Sequence, residues 1–203
     1  MFVKVCGLST PESVRVAVAA GADAVGFVLT PSPREVSPAR VVELLAHVPA
    51  GVAAVGVFRH ESAAAAVATA RSAGLEWIQL HGVRSPEDVT TAHDAGMKVI
   101  RAVTMGAAPV DYGSWGEELL LIDAAVPGSG EAWDYRSVRA LGEEKQGLES
   151  RSWLLAGGLD PSNVAEAATA AGAWGVDVSS GVESSRGVKD LAKIREFVKA
   201  AKG

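Results

Sequence analysis

AVAAGADAVGFVL, residues 17–29, starts as an alanine-rich helical stretch, passes through Gly21 and continues as an apolar run. Three further segments keep that order: ATARSAGLEWIQL at 68–80, TAHDAGMKVIRAV at 91–103 and TAAGAWGVDVSS at 169–180. Gly21, Gly74, Gly96 and Gly172 occupy the same place in each. A glycine there closes a helix in the left-handed conformation, where a Cβ would be penalised. The short apolar run that follows suits a strand buried on both faces. Repetition of one helix-then-strand unit implies a chain assembled from βα modules.

Extending the pattern to the whole chain predicts strands near 2–6, 23–29, 52–58, 76–80, 97–103, 118–123, 152–156 and 175–179. Helices are expected near 11–20, 38–47, 61–73, 85–95, 134–141, 161–171 and 190–201. Ser9-Thr10-Pro11-Glu12, Ser37-Pro38, Ser85-Pro86-Glu87 and Asp160-Pro161 read as helix entrances. In each, a small polar residue can cap free amides and proline is tolerated in the first turn. The fifth crossover, around Met105–Gly116, has no clear helical pattern, and the charged, glycine-flanked stretch 142–150 reads as an exposed connection. Eight strands with helical crossovers predict an α/β fold with a closed parallel sheet, the (β/α)8 or TIM barrel. An open doubly wound sheet is the alternative for generic βα repeats, and eight strands in 203 residues leave it the weaker one. The chain reads as one domain, residues 1–203.

Composition narrows the function. Hydrophobic residues make up 48% and aromatics only 5%, so aliphatic side chains must fill the core. A net charge of −5 with scattered basic residues gives no reason to expect a nucleic-acid partner. Charges or glycines interrupt every apolar run, so no membrane span is expected, and the opening MFVKVCGLST lacks the apolar core of a signal peptide. A single cysteine excludes an intrachain disulfide and has no metal-type cluster around it. The expectation is a cytoplasmic protein, monomeric, with a small-molecule substrate and neither metal nor cofactor.

Candidate functional residues gather where the strands end, the face on which barrels carry their chemistry. Alternation along the first strand puts Lys4 and Cys6 on one face, toward the barrel interior. Cys6 reads either as a buried small hydrophobe, the commoner fate of a free cysteine, or as a base or nucleophile favoured by Lys4 or an amide-rich turn. Asp123 ends the buried-strand run LLLIDA and is either a structural acceptor of backbone hydrogen bonds or a general acid. Such a pair suits proton-transfer isomerisation. Strands seven and eight run into Ala156-Gly157-Gly158 and Ser179-Ser180-Gly181. Barrels often bind phosphate between these two loops and a short extra helix; two ordinary turns are the plain alternative. Arg34, in the loop after strand two, is a surface charge or a bidentate carboxylate holder. Gln79, His81 and Asp177 share the inward phase of their strands, as substrate contacts or as structural polar groups. Arg101 is a weaker candidate for the same work.

The blocks VKVCGL, GADAVGFVL, SPREVSP, VGVF, IQLHG, LLLIDA, LLAGGLDPSNVAEA and VDVSSGVESSRGVKD stand in this order across nearly the whole chain. Together they resemble the phosphoribosylanthranilate isomerases of tryptophan biosynthesis. The resemblance implies an Amadori rearrangement with Asp123 as acid, Cys6 as thiolate base and Arg34 on the anthranilate carboxylate. It also implies phosphate binding at Gly158, Ser180 and Gly181. Glu35 replaces an aromatic residue common after the loop-two arginine. VPGSGEAWDY departs from the usual glycine-rich segment after the catalytic aspartate, although Gly128, Gly130, Trp133 and Asp134 remain. LHGVR replaces the frequent LHGDE. The related histidine-pathway barrels generally carry aspartate where Cys6 stands, which disfavours that reading. A noncatalytic phosphate-binding barrel is disfavoured by the presence of both Cys6 and Asp123.

Overall fold

The computed structural model describes residues 1–82, 84–105, 115–123, 134–138 and 152–203. Eight parallel strands close in sequence order: β1 Phe2–Cys6, β2 Ala24–Val28, β3 Ala53–Phe58, β4 Trp77–Leu80, β5 Lys98–Thr104, β6 Leu119–Asp123, β7 Trp153–Leu155 and β8 Gly175–Val178. Strand β8 returns to β1, with Lys4 opposite Asp177, so the sheet has no free edge. The open-sheet alternative is thereby removed. Around the barrel the described residues form α1 Pro11–Ala20, α2 Pro38–Leu45, α3 Ala63–Ser72, α4 Pro86–Asp94, α5 Val164–Ala171 and α6 Leu191–Lys202. The four glycines of the repeated unit all have positive φ. Thr10, Ser37 and Ser62 cap the helices that follow them through their side-chain oxygens.

Of the helix expected at 134–141, residues 136–138 are helical and 139–141 lie outside the described residues. So do 142–150, most of the fifth crossover, and Gly128, Gly130 and Trp133.

Two local differences from expectation have clear causes. The helix expected from 161 begins at Val164. Asp160 Oδ1 accepts from the amides of Ser162 (2.7 Å) and Asn163 (3.2 Å), and residues 161–163 form a turn before the helix. After β8 the chain forms a 3-10 turn at Ser180–Val182 and then a small antiparallel hairpin, β9 Glu183–Ser185 with β10 Val188–Lys189. Its strands are too short to carry a readable alternation.

Most of the core lies between strands and helices. A second cluster, including Ala24, Val55, Ile100, Ala102, Leu121 and Leu154, fills the barrel itself. Cys6, Val28 and Val57 form a small apolar group near the carboxyl ends of their strands. Because Ile100 and Ala102 face inward, Arg101 faces outward. It pairs with Glu117 at 2.7 Å and lies over the Trp115 ring. The expectation that Arg101 reaches a substrate is therefore corrected: it is a buried brace between β5 and the segment that leads into β6.

Candidate active site

A pocket of about 320 Å³ opens at the carboxyl ends of the strands. Cys6 from β1, Arg34 from the loop after β2, His81 from the end of β4 and Asp123 from β6 all line it. Gly157, Gly158, Asp177, Ser179 and Ser180 complete the same wall. Cys6 and Asp123 thus meet one cavity although 116 intervening residues separate them in sequence. Gly181 is the exception among the expected residues. A Cβ there would fall 1.8 Å from the Leu159 carbonyl oxygen, so Gly181 lets the β7 and β8 loops pack against each other behind the pocket.

The β7 loop is fixed from two sides. Asn163 Nδ2 donates to the Gly158 carbonyl at 2.8 Å, and the Tyr135 hydroxyl donates to that of Gly157 at 3.2 Å. These bonds occupy carbonyls of the loop and hold its backbone in place against the pocket.

Arg34 is held by a network the sequence reading did not foresee. Its Nε and Nη2 donate to the two carboxylate oxygens of Glu183 at 2.6 and 3.1 Å. Lys189 Nζ donates to Glu183 Oε1 at 2.9 Å and to the Ser179 carbonyl at 2.7 Å, and the Gly187 amide donates to Glu183 Oε2 at 3.0 Å. Burial raises the Glu183 pKa, but these donors outweigh it and hold the carboxyl down at about 2. The Nε/Nη2 edge of the guanidinium is therefore occupied from within. The Nη1 amino group of Arg34 remains for a ligand. Glu183 and Lys189 sit in the block VDVSSGVESSRGVKD; their opposite charges six residues apart were the available signal, and only the hairpin register turns them into a pair.

Glu35 is exposed and does not line the pocket, so its charge is solvated. Arg59, His60 and Arg186 line the rim and were not singled out in sequence. Nothing in their local sequence separates them from ordinary surface cations.

Cys6 and Lys4 share the space left by a missing side chain. A Cβ on Gly26, opposite Cys6 in the β1–β2 register, would lie 2.9 Å from Cys6 Sγ and 3.2 Å from Lys4 Nζ. Lys4 is fully buried and pairs with Asp177 at 2.8 Å. Burial pushes the Cys6 thiol above its ordinary pKa; Lys4 pulls it back, Asp177 adds to the rise and Lys189 offsets part of it.

His81 Nε2 lies 2.5 Å from the side-chain amide of Gln79. Burial first, then the charges of Lys4, Arg59 and Arg84, push its pKa down to about 3. Part of the ring faces the pocket, so water entering the mouth moderates that shift. The unfolded chain binds this proton near pH 6.5 and the folded chain only far lower. Folding stability contributed here is therefore complete above about pH 6.5 and declines as pH falls toward 3. One such proton costs up to ~1.4 kcal/mol per pH unit. Denaturant midpoints measured across this window should fall for the wild type and fall less steeply for His81→Gln; identical slopes refute the assignment.

A closed barrel whose mouth gathers a thiol, a carboxyl group and two glycine-containing loops defines the class: a (β/α)8-barrel enzyme equipped for acid–base chemistry on a small substrate. The family profile described as N-(5'phosphoribosyl)anthranilate (PRA) isomerase matches residues 3–200. The chain belongs to that family.

Among its relatives, the N-(5'-phosphoribosyl)anthranilate isomerase of Paracoccus denitrificans is 44% identical over 213 aligned positions, covering 98% of this chain and 96% of the relative. The crystal structure of TrpF from Jonesia denitrificans is 47% identical and superposes with a TM-score of 0.87, covering 100% of this chain and 97% of the other. A phosphoribosyl anthranilate isomerase crystallised with reduced 1-(O-carboxyphenylamino)-1-deoxyribulose 5-phosphate is 32% identical, with a TM-score of 0.82 and coverage of 100% and 99%.

Proposed function

We infer that the chain isomerises N-(5-phosphoribosyl)anthranilate to 1-(2-carboxyphenylamino)-1-deoxyribulose 5-phosphate, a step of L-tryptophan biosynthesis. The observation that carries this reading is the shared pocket of Cys6 and Asp123, with the loops at 157–158 and 179–180 on its wall. Asp123 donates a proton to the ribose ring oxygen, the ring C–O bond breaks and an iminium forms. Cys6, as thiolate, removes the proton from C2 and leaves an enolamine, which tautomerises to the ketone. Atoms balance within the one substrate, so no co-reactant is consumed.

The phosphate lies against Gly157, Gly158, Ser179 and Ser180, where backbone amides and hydroxyls supply donors. Gly181 supports that wall from behind. The anthranilate carboxylate takes the free side of the Arg34 guanidinium, which Glu183 holds in a fixed plane. His81 and Asp177 contact the substrate's polar groups, His81 as a neutral ring. One barrel domain, residues 1–203, supplies every group, so a monomer suffices, and we place it in the cytoplasm.

The test is turnover of freshly generated phosphoribosylanthranilate by the purified protein, followed as loss of anthranilate-type fluorescence. No turnover, with phosphate-ligand binding retained, would sink the reading and leave a noncatalytic binding barrel. Within it, Arg34→Ala should raise KM about 10- to 100-fold with a smaller change in kcat, the loss of one charge-assisted contact. An unchanged KM removes Arg34 from the carboxylate site.

A further inference from the structure

Lys4 has no part in the mechanism above, yet it is among the largest fully buried side chains in the described structure and the one charged group among them. A buried ammonium must pair, and it has three protons to place. Asp177 Oδ1 takes one. No other carboxylate, carbonyl or hydroxyl among the described residues accepts from it. The remaining acceptor near it is the sulfur of Cys6, which leans over the same glycine. A neutral thiol is a poor acceptor; a thiolate is a good one and carries the charge that the ammonium lacks.

We propose that the Lys4–Asp177 pair is a positioning device that sets thiolate formation at Cys6, with Lys4 favouring the thiolate and Asp177 opposing it. The inference rests on the reading of Cys6 as the base. The other groups that face the sulfur are few. Strands β2 and β3 present only Gly26, Val28 and Val57. The hairpin presents Lys189, which shares the Glu183 carboxylate with Arg34, so that group keeps one net positive charge and Lys189 also favours the thiolate. All three protons of Lys189 are directed at Glu183 and Ser179, and His81, on the wall of the same pocket, is neutral. Asp123 is separated from Cys6 by two intervening strands, β7 and β8. Lys4 is thus the cation whose hydrogen-bonding capacity is left open toward Cys6. It also explains a costly choice. An ion pair inside a barrel usually stabilises no more than an apolar pair of the same volume, so stability alone does not account for it.

The chain contains a single cysteine, so alkylation by iodoacetamide reads Cys6 alone and needs no substrate. Rates measured against pH give the thiol midpoint for the wild type, Lys4→Met and Asp177→Asn, each checked for fold by circular dichroism. Lys4→Met should move the midpoint up by about one pH unit or more, and Asp177→Asn should move it down. A merely structural pair would give shifts of the same sign or none, and either result overturns the proposal. Lys4→Met leaves the Asp177 carboxylate buried alone and can fail to fold. Lys4→Met/Asp177→Asn carries no buried charge and must then show a higher midpoint than Asp177→Asn; equal midpoints overturn the proposal as well. In turnover assays the acidic limb of kcat/KM should follow the alkylation midpoint. Should Cys6 prove not to be the base, the midpoints would still shift while that limb stayed in place, so the two failures are separable.

Discussion

Cys6→Ser should leave a folded barrel that turns over phosphoribosylanthranilate about 10³-fold more slowly or worse. Loss of a positioned general base typically removes 10²- to 10⁴-fold, and a serine hydroxyl is a far weaker acid than a thiol. The exchange keeps the size and position of the side chain, and it leaves Gly26 and Lys4 room to pack as before. The defect should therefore lie in kcat, with KM close to wild type, and single-turnover kinetics should put it in the chemical step. A second consequence follows from burial. Because the sulfur is buried and its thiol is raised above the ordinary range, the thiolate is the minor form near neutral pH. Wild-type kcat/KM should then rise with pH through neutrality, and Cys6→Ser should lose that rise. A folded serine variant with wild-type kcat would remove Cys6 from the mechanism.

Asp123→Asn is expected to cost about 10²- to 10⁴-fold in kcat for the complementary reason. The amide has the shape of the carboxyl group and retains hydrogen-bonding capacity, but it cannot deliver a proton to the ribose ring oxygen. Asp123 ends β6 opposite Thr104 and is partly exposed at the pocket mouth, and the exchange keeps the shape of its side chain. Thermal unfolding should move little. A substrate analogue lacking the glycosidic ring oxygen should bind both forms alike, which separates lost proton transfer from lost binding. If Asp123→Asn kept kcat within a few-fold of wild type, ring opening would need another acid.

Much of this site was legible because a barrel translates sequence phase into geometry. Once β1, β6 and β8 are recognised, the position of Cys6, Asp123, Asp177 and Ser179 at strand ends follows from alternation and the direction of the strands. His81 follows in the same way from β4. Nearness to a strand end alone made Arg101 a candidate; its phase, opposite to that of the inward-facing Ile100 and Ala102, takes it away from the pocket. The late start of α5 was hidden because Asp160 can either cap a helix or close a side-chain turn. Asp160 and Asn163 bond reciprocally, and residues 161–163 form a turn ahead of the helix.

By itself the amino-acid sequence determined the repeat of βα units, the closed barrel they imply and the strand ends that carry the chemistry, since each is a matter of local pattern and period. The tertiary structure alone decided that Glu183 fills the Nε/Nη2 edge of Arg34, that Lys4 sits between Asp177 and Cys6, and that Gly181 is a packing point behind the pocket. Those contacts join residues 149, 173 and 22 positions apart (Arg34 to Glu183, Lys4 to Asp177, Leu159 to Gly181). No local periodicity encodes such pairs; the first two exist because the eighth strand closes on the first and brings the end of the chain back over its beginning, the third because β7 and β8 lie side by side.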